Sequence, residues 1–143
     1  MKRIIYALMF MMLLTVAGCN TDSEDTELHF TVESNSNPEN IYVGYNSTAT
    51  SEYAQGYYVF IARDQSGIVE LNCTTFKTLT LVSNPQSLTG GYAVSVSGNV
   101  VKIEFDPLLA NGETIKGAVK IAGSDGVNSL TNNIYIVRDL PQS

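Results

Sequence analysis

Apolar and polar residues take turns along most of this chain with a period of two. That repeat puts one face of a β-strand in a core and the other in solvent. Leu28, Phe30 and Val32 alternate with His29, Thr31 and Glu33. Tyr57, Val59 and Ile61 alternate with Tyr58, Phe60 and Ala62, and Val69 and Leu71 with Ile68, Glu70 and Asn72. Leu79 and Leu81 sit between Thr78, Thr80 and Val82. The second half is cleaner: Tyr92, Val94 and Val96 oppose Ala93, Ser95 and Ser97, and Val101, Ile103 and Phe105 oppose Val100, Lys102 and Glu104. Ile115, Val119 and Ile121 oppose Lys116, Ala118 and Lys120, and Ile134 with Ile136 closes the series. Ile41-Tyr42-Val43 adds one more short segment.

Turn chemistry separates these segments. Gln65-Ser66-Gly67, Ser97-Gly98-Asn99, Asn111-Gly112 and Ser124-Asp125-Gly126 place Gly or Asn where the chain must reverse. Pro38, Pro85 and Pro107 lie between segments and interrupt none of them, as a hydrogen-bonded ladder requires. About seven to nine short strands so spaced, with polar outer faces, predict an all-β antiparallel sandwich of immunoglobulin-like type. A small barrel is the alternative. The loops 35–40 and 46–55 read as long connections within one domain, residues 28–143.

The first residues follow a different rule. Lys2 and Arg3 precede an apolar run from Ile4 to Val16, too short for a membrane span and shaped like a secretory signal. Val16-Ala17-Gly18-Cys19 resembles the bacterial lipobox. That resemblance implies cleavage of residues 1–18 and lipidation of Cys19, whose acyl chains would then hold the protein to a membrane. Asn20 to Glu27 carries four acids and no apolar residue, so it cannot pack and reads as a solvated tether. With Asp22, Glu24 and Asp25 behind the Cys, it also resembles the acidic export signal of Bacteroidota surface lipoproteins. The implied location is the outer membrane, facing the exterior.

Composition narrows the partners. The chain has 14 acids against 8 basic residues, a net charge of −6, and two of the basic residues belong to the leader. That balance argues against nucleic acid and anionic lipid as ligands. Of the two cysteines, Cys19 is assigned to lipid, and Cys73 alternates with Val69 and Leu71 as a buried small hydrophobe would.

From about Gly67 to Arg138 the pattern resembles the BACON domain, an immunoglobulin-like module of Bacteroidota carbohydrate-handling proteins. The likeness is carried by Tyr92 to Ile103, Gly117-Ala118-Val119-Lys120-Ile121, the Asp125-Gly126 turn and Ile134-Tyr135-Ile136-Val137. The chain departs from that pattern in having no Trp and in reaching Arg138 where those sequences end on Gln. The resemblance implies a sandwich fold and a link to carbohydrate.

Chemistry is sparse. His29 is the only histidine, it sits on the polar side of the first strand, and no Gly-x-Ser-x-Gly elbow accompanies it. One His and one buried Cys cannot make a zinc site. Asp106, Glu113 and Asp125 are the acids that loop carbonyls could complete into a calcium site, without the spacing of a calcium loop. The expectation is therefore a non-catalytic protein with no metal and no cofactor. Tyrosine gives the strongest surface signal: Tyr42, Tyr45, Tyr53, Tyr57 and Tyr58 fall close together among Asn, Ser, Thr and Gln. Aromatic faces stack on sugar rings while amides and hydroxyls read sugar hydroxyls, so Tyr42, Tyr45, Tyr53 and Tyr58 are the candidate ligand-binding residues. Tyr57 is assigned to the core face. The expected function is glycan binding at the cell surface beside a carbohydrate-uptake system. The alternative is a structural or adhesion role, with another envelope protein as partner, through a sheet edge or a loop surface.

Overall fold

The computed structural model of the chain describes residues 27–83 and 90–139. Cys19, the leader, Asp22, Glu24, Asp25 and Pro85 lie outside these residues. Nine strands are present among them: β1 (Phe30–Asn35), β2 (Tyr42–Asn46), β3 (Gly56–Ala62), β4 (Gly67–Cys73), β5 (Thr78–Ser83), β6 (Tyr92–Ser97), β7 (Val100–Phe105), β8 (Ile115–Ser124) and β9 (Ser129–Asp139). They form a four-stranded sheet, β1-β4-β7-β6, and a five-stranded sheet, β2-β3-β9-β8-β5. The fold is an all-β sandwich, and each segment of period-two alternation became a strand.

One pairing departs from the expected antiparallel pattern. β3 runs parallel to β9, in register from Tyr57 opposite Ile134 to Ala62 opposite Asp139. Strands so far apart in sequence can lie parallel because the intervening chain crosses to the other sheet and back. β8 is interior, held between β9 and β5. Lys120 therefore stands between paired strands, whereas Lys116 lies on the part of β8 that β5 does not reach.

The core fills the space between the sheets. Val69, Leu71, Val101 and Ile103 from one sheet meet Val59, Ile61, Val119, Ile121, Ile134 and Ile136 from the other, all fully buried. Cys73 is buried among them as a free thiol. The β6–β7 hairpin turns on Gly98-Asn99, with Gly98 at φ +58°, the backbone region that only glycine enters freely at the first position of this tight turn.

The two ends of the sandwich are sealed differently. At the end where the chain enters, Leu28 is fully buried and its N–H donates to Asn132 Oδ1 at 2.6 Å. Tyr57 Oη accepts the Phe30 N–H at 3.0 Å. At the other end Arg138, two residues beyond Ile136 and on the same inward face, is fully buried. Its Nη1 donates to the carbonyls of Gly90, Gly91 and Asp106, and its Nη2 to those of Ala62, Arg63 and Gln65, at 2.7 to 3.3 Å. The guanidinium thus ties the β3–β4, β5–β6 and β7–β8 connections to the last strand. Burial lowers its pKa to about 10, which leaves it charged at neutral pH. Gly91, at φ +64°, lies so close that a Cβ there would come within 2.8 Å of Nη1.

Candidate binding face

The four candidate tyrosines do not form one exposed cluster, because strand parity sends them to opposite sides of a sheet. Tyr45 pairs with Tyr57 on the inner face of β2–β3 and is 5% exposed. Its ring packs edge-on against Tyr57, with centroids 4.8 Å apart. Its hydroxyl donates to the Glu27 carboxylate and accepts from Gln55 Nε2 at 3.1 Å. Burial, reinforced by Glu27, raises its pKa to about 12. Tyr45 therefore belongs to the core, and Glu27, assigned to the tether by composition, is docked on the domain.

Tyr42 and Tyr58 point the other way. Cross-strand partners share a face, so Tyr42 opposite Phe60, Tyr58 opposite Tyr135 and Phe60 opposite Val137 all stand on the outer face of the five-stranded sheet. Tyr58 is sandwiched there between two near-parallel rings: Phe60 at 5.8 Å and 15°, and Tyr135 at 4.9 Å and 23°. Tyr53 arrives from the 47–55 loop and closes over them, edge-on to Tyr58 at 5.6 Å and to Phe60 at 6.4 Å. Tyr58, Phe60 and Val137 are buried as a result, while Tyr42, Tyr53 and Tyr135 remain partly exposed around them.

The loop that carries Tyr53 is fixed by hydrogen bonds. Tyr58 Oη and Asn46 Nδ2 both donate to the Ala54 carbonyl, each at 2.9 Å. Thr50 closes the loop on itself by accepting the Tyr53 N–H at 3.0 Å. Burial raises the Tyr58 phenol to about 12. Lys116, on β8 opposite Val137, sets its ammonium 5.3 Å from the centre of the Tyr53 ring. That is within the range of a cation–π contact. Five aromatic side chains and a lysine thus stand on an outward face where solvated polar residues are the rule.

Sequence reasoning missed Phe60, Val137, Tyr135 and Lys116 as members of this group. The signal was present in Tyr57 to Ala62 and Ile134 to Val137, which are apolar or aromatic at successive positions. A strand without a polar side has both faces covered.

The remaining candidates are dispersed. Asp125 caps its own turn by accepting the Val127 and Asn128 N–H groups at 2.9 and 2.7 Å, and these bonds lower its pKa. Asp106 and Glu113 lie near the Arg138 end, where their carbonyls accept from Arg138 and Arg63. β8, ten residues long, separates them from Asp125. The three acids considered for calcium are therefore not brought together. Among the described residues no group of three His, Cys, Asp or Glu side chains could hold a metal. An open hollow of about 580 Å³ at the chain-entry end is lined by Phe76, Lys77 and Asp125 with small polar neighbours. No protein-family model, curated protein or solved structure matches the chain.

Proposed function

We propose that the protein is a non-catalytic binding module, lipidated at Cys19 on the bacterial outer membrane, that captures glycans on the outer face of its five-stranded sheet. One observation carries the reading: Tyr42, Tyr53 and Tyr135 are partly exposed around buried Tyr58 and Phe60, on the outward face of the five-stranded sheet. Rings held by packing and by the Ala54 bonds present stacking surface at little entropic cost. Asn133 and Thr131 stand on the same face and offer an amide and a hydroxyl to sugar hydroxyls. The BACON-like segments and the lipobox point the same way. Residues 20 to 26, if fully extended, would hold the domain up to about 25 Å from the bilayer.

The test is a display of plant, host and microbial glycans probed with the full chain in mild detergent, beside Tyr135→Ala and Tyr53→Ala. Binding that both changes weaken, with unfolding midpoints retained, is the expected result. A blank display, or binding indifferent to both tyrosines, would reject the reading.

A second reading, self-association through a sheet edge, is favoured by β6. Of the four edge strands, β1 and β5 carry register shifts and β2 has five residues. β6 pairs without a shift and contains neither charge nor Pro. The Asp106 N–H bond to the Gly91 carbonyl sets the ladder parity, so the backbone groups of Tyr92, Val94 and Val96 face outward. Antiparallel pairing of two copies about Val94 would align Glu104 of one with Lys102 of the other across small Ala93 and Ser95. Val94→Pro should then convert a detergent-solubilised dimer to monomer. A wild-type chain that is monomeric would dispose of this reading.

A further inference from the structure

We infer that the ligand of this face is an acidic polysaccharide, a polymer with carboxylates repeated along its chain, and this rests on the glycan-binding reading above. The inference begins with where the charges lie. The protein is acidic, with a net charge of −6. Its acids are nevertheless almost absent from the outer face of the five-stranded sheet. Among the strand residues of that face the single acid is Asp139, at the far end, where it accepts a hydrogen bond from Thr114.

The cations on the same face are Lys116 and Lys120, both exposed. Neither has a carboxylate within ion-pair distance among the described residues, whereas Lys102 on the opposite sheet holds Glu104 at 2.8 Å. Two lysines with no carboxylate partner among the described residues therefore flank the aromatic group on a face whose strands carry a single acid. The potential there favours an anion.

The spacing selects the kind of anion. Four residues along a strand separate the two lysines by about 13 Å, more than one carboxylate can bridge. Lys116 also leans over Tyr53, away from Lys120's neighbour Asn133. Between them along β8 lies Ala118, paired with Tyr135, so the surface dips to a small residue beside a ring. A sugar stacked on Tyr135 would thus have a cation on each side along the strand. A uronic-acid polymer supplies rings for the tyrosine and carboxylates for both lysines. Lysine suits this role as a mobile point charge that needs no fixed bidentate geometry.

The experiment measures binding of the full chain in non-ionic detergent to polygalacturonate, alginate and hyaluronate, each beside its fully methyl-esterified form, at low and high salt. Esterification removes the charge and keeps the backbone. The expected result is binding to at least one acidic polymer, lost on esterification and weakened by salt. The double change Lys116→Gln and Lys120→Gln should weaken it about tenfold, as two exposed charge contacts of ordinary strength allow. Lys102→Gln, on the other sheet, should leave it unchanged. Binding of the esters as strong as of the acids, or binding indifferent to the lysine pair, would overturn the inference while sparing the glycan reading if Tyr135→Ala still weakens it. No binding to any acidic polymer would also overturn it, and a blank glycan display in addition would remove the parent reading.

Discussion

The two outward faces of this sandwich are built on opposite plans. The four-stranded sheet shows solvent Thr31, Glu70, Asn72, Lys102, Glu104, Ser95 and Ser97, and its charges pair locally, with Lys102 and Glu104 in contact. Its partner shows a ring cluster and two lysines. The alternation of apolar and polar residues that builds the first face lapses in β3, which is buried on both sides. The first is mostly polar, with one exposed ion pair between Lys102 and Glu104. The second has buried rings at its centre and, at its rim, two lysines without a carboxylate partner among the described residues.

The comparison can be broken at several levels. Arg138 sets the scale, because it belongs to neither face. Arg138→Met removes the donor from six carbonyls at once, and the cost should be at least about 3 kcal/mol in denaturant unfolding. A loss below 1 kcal/mol would show that water replaces the guanidinium cheaply.

Next comes the aromatic face itself. Phe60 is 3% exposed, so Phe60→Ala should cost about 3 kcal/mol, as in an interior. A negligible cost would mean that the face is ordinary surface and that the rings add nothing to stability.

The third test uses pH. Tyr58 and Tyr45 have phenols raised to about 12 in the fold against about 10 in the unfolded chain. The unfolded state therefore loses these protons first. Stability from these groups is intact below pH 10 and declines as pH rises from 10 toward 12. A Tyr58→Phe chain should lose less between pH 10 and 12 than the parent. Identical curves would separate the cluster from the alkaline transition. The smallest effect belongs to the polar face: Lys102→Ala should leave the unfolding midpoint unchanged, since its ion pair is solvent-exposed.

Much of this architecture was legible from the alternation of residues. All nine segments became strands, Cys73 and Tyr57 turned inward, and Gly98 made the turn its neighbours required. Parity also held information that composition obscured. Arg138 follows Ile134 and Ile136 at the inward spacing, yet its charge invites a reading as the end of a strand. Tyr45 follows Val43 inward in the same way, although its polar neighbours suggest a surface loop. What the sequence could not disclose is the pairing of strands distant in the chain. The parallel match of β3 with β9 brings Tyr135 beside Tyr58, and nothing local to either residue announces it. The covering of the outer face by Tyr53 depends likewise on where the 47–55 loop folds back.

The position of β9 bears on the order in which the fold can form. β9 is the central strand of the five-stranded sheet, between β3 and β8, and among the described residues it is the last of the nine strands in chain order. It also carries Arg138, which locks the connections at one end. Until it arrives, β2–β3 and β8–β5 are two separate ribbons with apolar sides uncovered, and two-stranded ribbons are marginal in water. The five-stranded sheet therefore cannot close until β9 is in place. Its closure joins strands far apart in the chain, β3 to β9, and carries the slow kinetics that long-range strand pairing imposes.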